Sequence, residues 1–282
     1  MSHSPSEAPS IDPGLLQKLA SNSHLWLKTA LDLVFPPWCQ ICRLKRASCE
    51  SGFVCAACQN GLQWLQPPFC EKCALPYAGS MDSNFRCANC EDMDLAFSHA
   101  RSCLIVTPTF SQIIHRYKYN GHKYFEPFLT SLFVARAAPS LQSGSWTWIV
   151  PVPLHPVRRR EREFNQAECL SRELSSATGI PLNVRCLSRV QNTSTQTALG
   201  REDRRRNVNK AFTVNNLEMV RAARIVVVDD VLTTGATTDA CARSLLKAGA
   251  EEVAVWTLAR GLVGQAALNL GRLESRIDSL GI

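Results

Sequence analysis

Apolar residues are arranged in two different ways along this chain, and the change comes near residue 97. Before that point they are scattered between cysteines, apart from residues 25–35, which have helical spacing and stop at Pro36-Pro37, as a helix must. After that point short aliphatic runs alternate with amphipathic segments, the pattern of a sheet flanked by helices. The sequence therefore predicts two folded parts of different kinds.

The second part predicts an α/β fold. Residues 225–228 form a continuous aliphatic run, which is typical of a strand buried on both faces. Strand, helix and strand in succession make a right-handed crossover unit with parallel strands. The predicted strands are 100–106, 149–152, 184–190, 211–214, 225–228 and 253–258, and the predicted helices are 113–119, 125–138, 165–178 and 237–248.

The composition of each region predicts where the two folded parts begin and end along the chain. We predict a disordered Ser- and Pro-rich start at 1–24, a helix with a Cys-rich domain at 25–96, the α/β domain at 97–262, and a polar tail at 263–282. No apolar run approaches the roughly 20 residues that cross a bilayer, so we expect no membrane span. The first residues lack the pattern of a secretory signal, so a cytoplasmic location is expected.

Eight cysteines form four pairs of one spacing, Cys-x2-Cys, with 12, 11 and 13 residues between successive pairs. Two residues between cysteines let one tight turn direct both sulfurs at one ion, and two such pairs complete a tetrahedral zinc site. Four pairs therefore predict two structural Zn²⁺ ions. Sequential pairing has the shortest loops, although interleaved pairing is also open. The predicted ligands are Cys39, Cys42, Cys55, Cys58, Cys70, Cys73, Cys87 and Cys90.

Charge is distributed unevenly. Residues 1–100 carry 7 Lys and Arg against 9 Asp and Glu, whereas residues 101–282 carry 24 against 15. Most of the cations are arginines, whose fork of donors suits phosphate oxygens. The basic second part predicts a polyanionic ligand, and a charged surface that keeps the chain in solution is the alternative.

One segment of the sequence has acidic and hydroxyl side chains directly after a predicted strand. The aliphatic run 225–228 leads into Asp229 and Asp230, and a Thr- and Gly-rich segment then opens a helix. Hydroxyls and free N–H groups at a helix N-terminus suit a phosphate, and adjacent carboxylates suit sugar hydroxyls or a divalent cation. The string therefore predicts a ribose-phosphate site, whereas helix capping alone would explain one of these residues. The predicted phosphate-binding residues here are Thr233, Thr234, Gly235, Ala236 and Thr237.

This string resembles the phosphoribosyl-pyrophosphate (PRPP) motif of type I phosphoribosyltransferases. With the four cysteine pairs and the segments 150–167 (VPVPLHPVRRREREFNQA) and 196–212 (QTALGREDRRRNVNKAF), the chain is similar to the ComF family. Those are bacterial competence-associated, phosphoribosyltransferase-like proteins with an N-terminal double zinc ribbon. The resemblance implies a type I phosphoribosyltransferase-like parallel sheet and a cytoplasmic protein that binds PRPP with Mg²⁺.

The resemblance also implies residue roles. Asp229 and Asp230 would hold the ribose hydroxyls as the catalytic pair, the loop at 233–237 would hold the 5′-phosphate, and the loop after Pro153 would face the diphosphate. Two arginine clusters fit phosphate chemistry on their own. The first contains Arg158, Arg160 and Arg162, and the second lies at 201–206.

One position departs from the family pattern. The family usually reads Arg-Gly-Phe-Asn-Gln, whereas this chain has Glu163 in place of the glycine. A carboxylate beside a diphosphate site would oppose anion binding unless it points away, and a backbone angle reserved for glycine would be strained.

Two functions of different classes follow. The first is a phosphoribosyltransferase that transfers the phosphoribosyl group of PRPP to an unknown acceptor and is associated with DNA uptake and natural competence. The second is a non-catalytic module that keeps the PRPP pocket and either handles single-stranded DNA or senses nucleotides. Competence or DNA-uptake proteins are its expected partners. No motif in the sequence names the acceptor.

Overall fold

The structure, a computed structural model, describes residues 37–49, 51–77, 87–119, 121–142, 144–191 and 211–262. Four sequence predictions lie outside these residues: the start at 1–24, the helix at 25–35, the second arginine cluster at 201–206 and the tail at 263–282. Among the described residues, every helix is too short or too polar to cross a membrane.

A four-stranded parallel sheet forms the centre of the molecule. Its strands lie in the order β1-β6-β5-β2, and each neighbouring pair runs parallel. A separate two-stranded antiparallel sheet pairs β3 with β4. The strands are β1 (Ala100–Ile105), β2 (Trp148–Pro151), β3 (Leu187–Arg189), β4 (Phe212–Val214), β5 (Arg224–Leu232) and β6 (Glu252–Arg260).

Helices cover both faces of this sheet. Helix α4 packs on α6 on one face, and α7 packs against β5 and β6 on the other. The helices are α1 (Ala56–Asn60), α2 (Ala88–Asp92), α3 (Pro108–Tyr119), α4 (Glu126–Gln142), α5 (Pro156–Arg162), α6 (Gln166–Thr178) and α7 (Ala236–Lys247), with a 3-10 turn at Lys123–Phe125. The α/β fold class is confirmed.

The central strand β5 explains why the sheet is stable. Residues 225–228 are fully buried, as their aliphatic run predicts, and alternate side chains enter the two core clusters on opposite faces. The strand continues four residues beyond the predicted end at 228 because Asp229, Val231 and Leu232 still pair with β6. The aliphatic pattern ends before Asp229 because the side chains become polar there. The backbone nevertheless continues to pair with β6 as far as Leu232.

The cysteine-rich part packs directly on the sheet. Leu65 N–H donates to the Cys103 carbonyl (2.9 Å), and Ile105 N–H donates to the Gln63 carbonyl (2.8 Å), so this segment extends the sheet beyond β1. Three of the paired cysteines, Cys70, Cys73 and Cys87, belong to the same buried cluster as β5 and α7. The metal-binding part therefore shares the hydrophobic core of the α/β part.

Candidate functional site

The eight paired cysteines form two clusters of four. Within each cluster all four sulfurs lie within 4.8 Å of one another. The pairing is sequential, first pair with second and third pair with fourth, so the shorter of the two open arrangements is confirmed. The clusters are Cys39, Cys42, Cys55 and Cys58, and Cys70, Cys73, Cys87 and Cys90.

The spacing of the sulfurs fits a tetrahedral zinc ion. A Zn–S bond of about 2.3 Å puts two sulfurs of a tetrahedron about 3.8 Å apart. The Cys39–Cys58 and Cys70–Cys90 sulfurs are 3.8 and 3.9 Å apart. The backbone N–H groups of Ile41 and Cys55 also point at Cys39 Sγ, each at 3.4 Å, as donors that stabilise a thiolate. These donor sets can hold two structural zinc ions.

The second polar centre lies at the carboxyl end of β5. Successive side chains of a strand point to opposite faces, so Asp229 and Asp230 flank the end of β5 from two sides. Asp230 is buried and forms an ion pair with Lys118 of α3 at 2.6 Å. Asp229 is half-buried, and its Oδ1 accepts the Asp230 backbone N–H at 2.9 Å.

Burial raises the pKa of Asp229 to about 7. The Asp230 carboxylate acts in the same direction, because a second negative charge nearby opposes ionisation. Lys118 and Arg189 oppose the shift. Asp229 therefore changes its protonation state near neutral pH. A ligand whose hydroxyls donate hydrogen bonds to this carboxylate would favour its charged form.

A tight loop joins β5 to α7 beside the two acids. Gly235 is the N-terminal cap of α7 with φ of +91°, a conformation that suits glycine, and it is buried. Thr233 is exposed, and Thr234, Ala236 and Thr237 are half-buried. Thr234 Oγ1 accepts the Ala236 N–H at 3.4 Å. The loop therefore carries hydroxyl side chains at the N-terminus of α7, a position that suits an anion.

The first arginine cluster forms a short helix, α5, at the same edge of the sheet. Strand β2 pairs parallel with β5, so the segments after both strands emerge side by side. Arg160 is exposed, Arg158 pairs with Glu161 at 3.2 Å, and Arg162 Nη2 donates to the Tyr119 hydroxyl at 2.8 Å. The sequence predicts the position of this cluster after a strand but not its helix.

Glu163 ends α5 in the left-handed conformation, with φ of +63°. This is the position at which the family pattern has glycine, so the expected strain is present. The side chain is largely exposed, with its carboxylate 3.7 Å from Lys123 Nζ. The ion pair with Lys123 offsets part of the negative charge near the arginines.

Two further charged residues belong to this site, and sequence reasoning did not select them. Lys118 contacts Asp230, as described above. Arg189 of β3 lies over the Phe212 ring and is electrostatically coupled to Asp229, Arg158 and Arg162. Neither residue is near residues 229–230 in sequence, so only the tertiary fold brings them together.

Two protein-family models match the chain. The double zinc ribbon domain matches residues 30–93, and the phosphoribosyl transferase domain matches residues 166–269. The first range contains both cysteine clusters. The second contains the acids and the loop before α7.

Curated relatives match along nearly their whole length. Competence protein F of Haemophilus influenzae is 31% identical over 222 residues, which cover 74% of this chain and 97% of that protein. DNA utilization protein YhgH of Salmonella typhimurium is 32% identical over 236 residues, which cover 82% of this chain and all of that protein.

A solved structure of a glutamine PRPP amidotransferase from B. subtilis, complexed with ADP and GMP, is also similar. It is 20% identical, with a TM-score of 0.32, over 51% of this chain and 26% of that chain.

Proposed function

Because the chain belongs to the ComF family, which combines a double zinc ribbon with a phosphoribosyltransferase domain, we propose that it binds Mg²⁺-PRPP and transfers the phosphoribosyl group to an acceptor. Two zinc ions would hold the ribbons. The names of its relatives associate them with competence and DNA utilization, and we propose a role in DNA uptake for this chain.

The observation that carries the proposal is the shared edge of β2 and β5. Asp229, Asp230 and the loop at 233–237 lie at the carboxyl end of β5, and the arginine helix α5 follows the carboxyl end of its parallel neighbour β2. Carboxylates suit ribose hydroxyls, helix N-terminal amides suit a 5′-phosphate, and arginines suit a diphosphate.

The chemistry would depend on electrostatic stabilisation rather than on an attacking side chain. Loss of diphosphate from the anomeric carbon leaves positive charge on the ribose, which Asp229 and Asp230 would stabilise. Arg158 and Arg162 would offset the negative charge of the leaving diphosphate. Asp230 would exchange part of its contact with Lys118 for the sugar hydroxyls. Bound Mg²⁺ would supply further positive charge to the diphosphate oxygens.

A binding experiment tests the ribose assignment. Replacing Asp229 and Asp230 together by Ala should abolish Mg²⁺-PRPP binding in calorimetry while circular dichroism remains native. Glu251→Ala is the control, because Glu251 is an exposed carboxylate at the opposite end of the sheet. Unchanged PRPP affinity in the double variant would refute the assignment.

Turnover distinguishes an enzyme from a binding protein. PRPP would be incubated with bases, amines and oligonucleotides in turn, and pyrophosphate release would be measured. Release with one class identifies the acceptor. PRPP binding without release for any class would favour a non-catalytic module, such as a nucleotide sensor.

Single-stranded DNA handling is the second candidate function. Arg159 and Arg160 are exposed on α5, and the nearby Tyr119 ring is half exposed, with the Arg162 guanidinium 4.8 Å from its centre. Exposed cations next to an aromatic ring can bind phosphates and stack a base.

The salt dependence of binding tests this second function. Replacing Arg159 and Arg160 by Gln should make the slope of log affinity for single strands against log salt concentration less steep. The change should correspond to the loss of about one to two phosphate contacts. Arg221→Gln serves as the control, because Arg221 is exposed and precedes β5, at the opposite end of the sheet. No binding of the native protein to single strands at low salt would eliminate this function.

A further inference from the structure

Arg260 connects the second cysteine cluster to the phosphate loop. It is the last residue of β6 and has no exposed surface. Its Nε donates to the Cys73 carbonyl at 2.8 Å, and its Nη2 lies 3.7 Å from Cys73 Sγ. Its Nη1 donates to the Leu232 carbonyl at 3.0 Å and also to the Thr233 carbonyl. One side chain thus contacts both a zinc ligand and the loop.

The countercharge of Arg260 is the cysteine cluster. A buried guanidinium needs an anionic partner, because removal of a charge from water is costly. Within the described part of the chain no carboxylate forms an ion pair with Arg260. Four thiolates around one Zn²⁺ carry a net charge of about −2, and the nearest of these sulfurs is that of Cys73. Loss of the metal would change the environment of this arginine.

Asn89 makes a second connection to the same loop. It lies between Cys87 and Cys90 in the last knuckle and is 7% exposed. Its Nδ2 donates to the Thr234 carbonyl at 3.2 Å. Leu95, just after this knuckle, would lie 3.4 Å from a side-chain carbon added at Gly235. The second ribbon therefore forms the inner wall of the loop.

These contacts orient the loop amides. In a trans peptide the carbonyl of one residue and the N–H of the next point in opposite directions. The carbonyls of Leu232 and Thr233 accept from Arg260, and the Thr234 carbonyl accepts from Asn89. The next three N–H groups therefore point away from these donors. Those N–H groups, of Thr233, Thr234 and Gly235, donate no hydrogen bond within the described residues. They are available to an anion.

We infer that Arg260 and Asn89 are positioning residues, through which the second zinc ribbon holds the phosphate loop in its anion-binding conformation. The inference rests on the proposed function, since the anion is the phosphate of a ribose phosphate. The second metal site therefore controls phosphate affinity, and the first does not.

The first ribbon provides the contrast. Its contacts go to other elements: Arg116 of α3 donates to the Gln40 carbonyl, and the Tyr124 hydroxyl donates to Gln40 Oε1 at 3.4 Å. Gln59 makes an amide-to-carbonyl hydrogen bond inside this ribbon, to Val54 at 2.7 Å. Gln59 is therefore a matched control for Asn89, with the same chemistry and no contact to the loop.

The experiment compares Asn89→Ala with Gln59→Ala in the full chain loaded with zinc. Hydrogen exchange at the loop is measured at two protected amides whose acceptors lie in it or next to it, Gly261 N–H bonded to the Leu232 carbonyl and Asp239 N–H bonded to the Gly235 carbonyl. Calorimetry gives the affinity for Mg²⁺-PRPP and for inorganic phosphate, and metal analysis confirms two zinc ions per chain. In Asn89→Ala we expect loop exchange about fivefold to tenfold faster and a similar loss of affinity, as for one lost hydrogen bond. In Gln59→Ala both should remain at the native value.

The metal sites themselves give the second comparison. Cys90→Ser and Cys58→Ser should each lower the zinc content to one, but only Cys90→Ser should accelerate loop exchange. Equal loop exchange in Asn89→Ala and Gln59→Ala would overturn the inference. Hydrogen exchange needs no ligand, so failure of native protein to bind PRPP would refute the proposed function while this comparison still tests the coupling.

Discussion

Glu163 occupies a backbone conformation that favours glycine, at the end of the arginine helix. A left-handed conformation costs a residue with a Cβ about 1–2 kcal/mol, and glycine avoids this cost. Glycine loses more entropy on folding, so the net difference is smaller. The residue remains acceptable because its carboxylate is exposed and close to Lys123.

Replacement of Glu163 by Gly should stabilise the fold by about 0.5–1 kcal/mol, because relief of the left-handed strain exceeds the added chain entropy. Urea unfolding followed by circular dichroism measures this. Glu163→Gln is the control, because it removes the charge and keeps the strain. An equal gain in both variants would attribute the effect to charge.

Asp229 predicts a pH dependence with a definite sign. Its pKa in the folded protein is raised from 3.8 to about 7 by burial and by Asp230, with Lys118 and Arg189 in opposition. Protonation of Asp229 therefore favours the folded state. This contribution is fully present below about pH 4 and is lost as pH rises through about 7.

Asp229→Asn should therefore stabilise the fold at pH 8, by an amount on the order of 1 kcal/mol, and much less at pH 5. The same change should weaken PRPP binding, because the amide replaces a carboxylate at the ribose. Unfolding curves at the two pH values measure the first effect. If the stability difference is the same at both, Asp229 does not titrate in this range.

At the scale of elements, local patterns predict strands and helices better than they predict their ends. The aliphatic run at 225–228 and the glycine before α7 identify β5 and the loop, because both signals depend only on neighbouring residues. Helix α5 was missed because seven residues rich in arginine carry no apolar face. Lys118 and Arg189 were missed because their distances to residues 229 and 230 depend on the packing of α3 and β3.

Asn165 links the end of β2 to α6. It is buried, its Oδ1 accepts the Ala167 N–H at 3.1 Å to cap the helix, and its Nδ2 donates to the Val152 carbonyl at 3.0 Å. One side chain thus fixes both the start of α6 and the segment after β2. That segment leads into the arginine helix.

Asn165→Ala should destabilise the fold by about 2 kcal/mol, since it removes a helix cap and a buried hydrogen bond together. His155→Ala is the matched control, because His155 caps α5 through one longer bond of 3.3 Å to Val157 and is not buried. We expect a clearly smaller loss for His155→Ala in the same urea experiment. Equal losses would show that the second bond of Asn165 adds nothing.

At the scale of the whole molecule, the two ribbons are parts of the α/β core. Cys70, Cys73 and Cys87 lie in the cluster that contains β5 and α7, and Val54 and Leu62 of the first ribbon lie in the cluster on the other face. The ribbons also contact different functional elements, α3 for the first and the phosphate loop for the second. Unfolding of either ribbon should therefore expose the sheet.

Removal of zinc by a chelator should lower the stability of the entire chain. Because the thiol clusters share the core of the sheet, we expect one cooperative thermal transition in the native protein and a midpoint about 10 °C or more lower after chelation. Scanning calorimetry with metal analysis measures both, and chelator saturated with zinc beforehand is the control. Two separate transitions, with chelation affecting only the lower one, would show that the ribbons fold independently of the sheet.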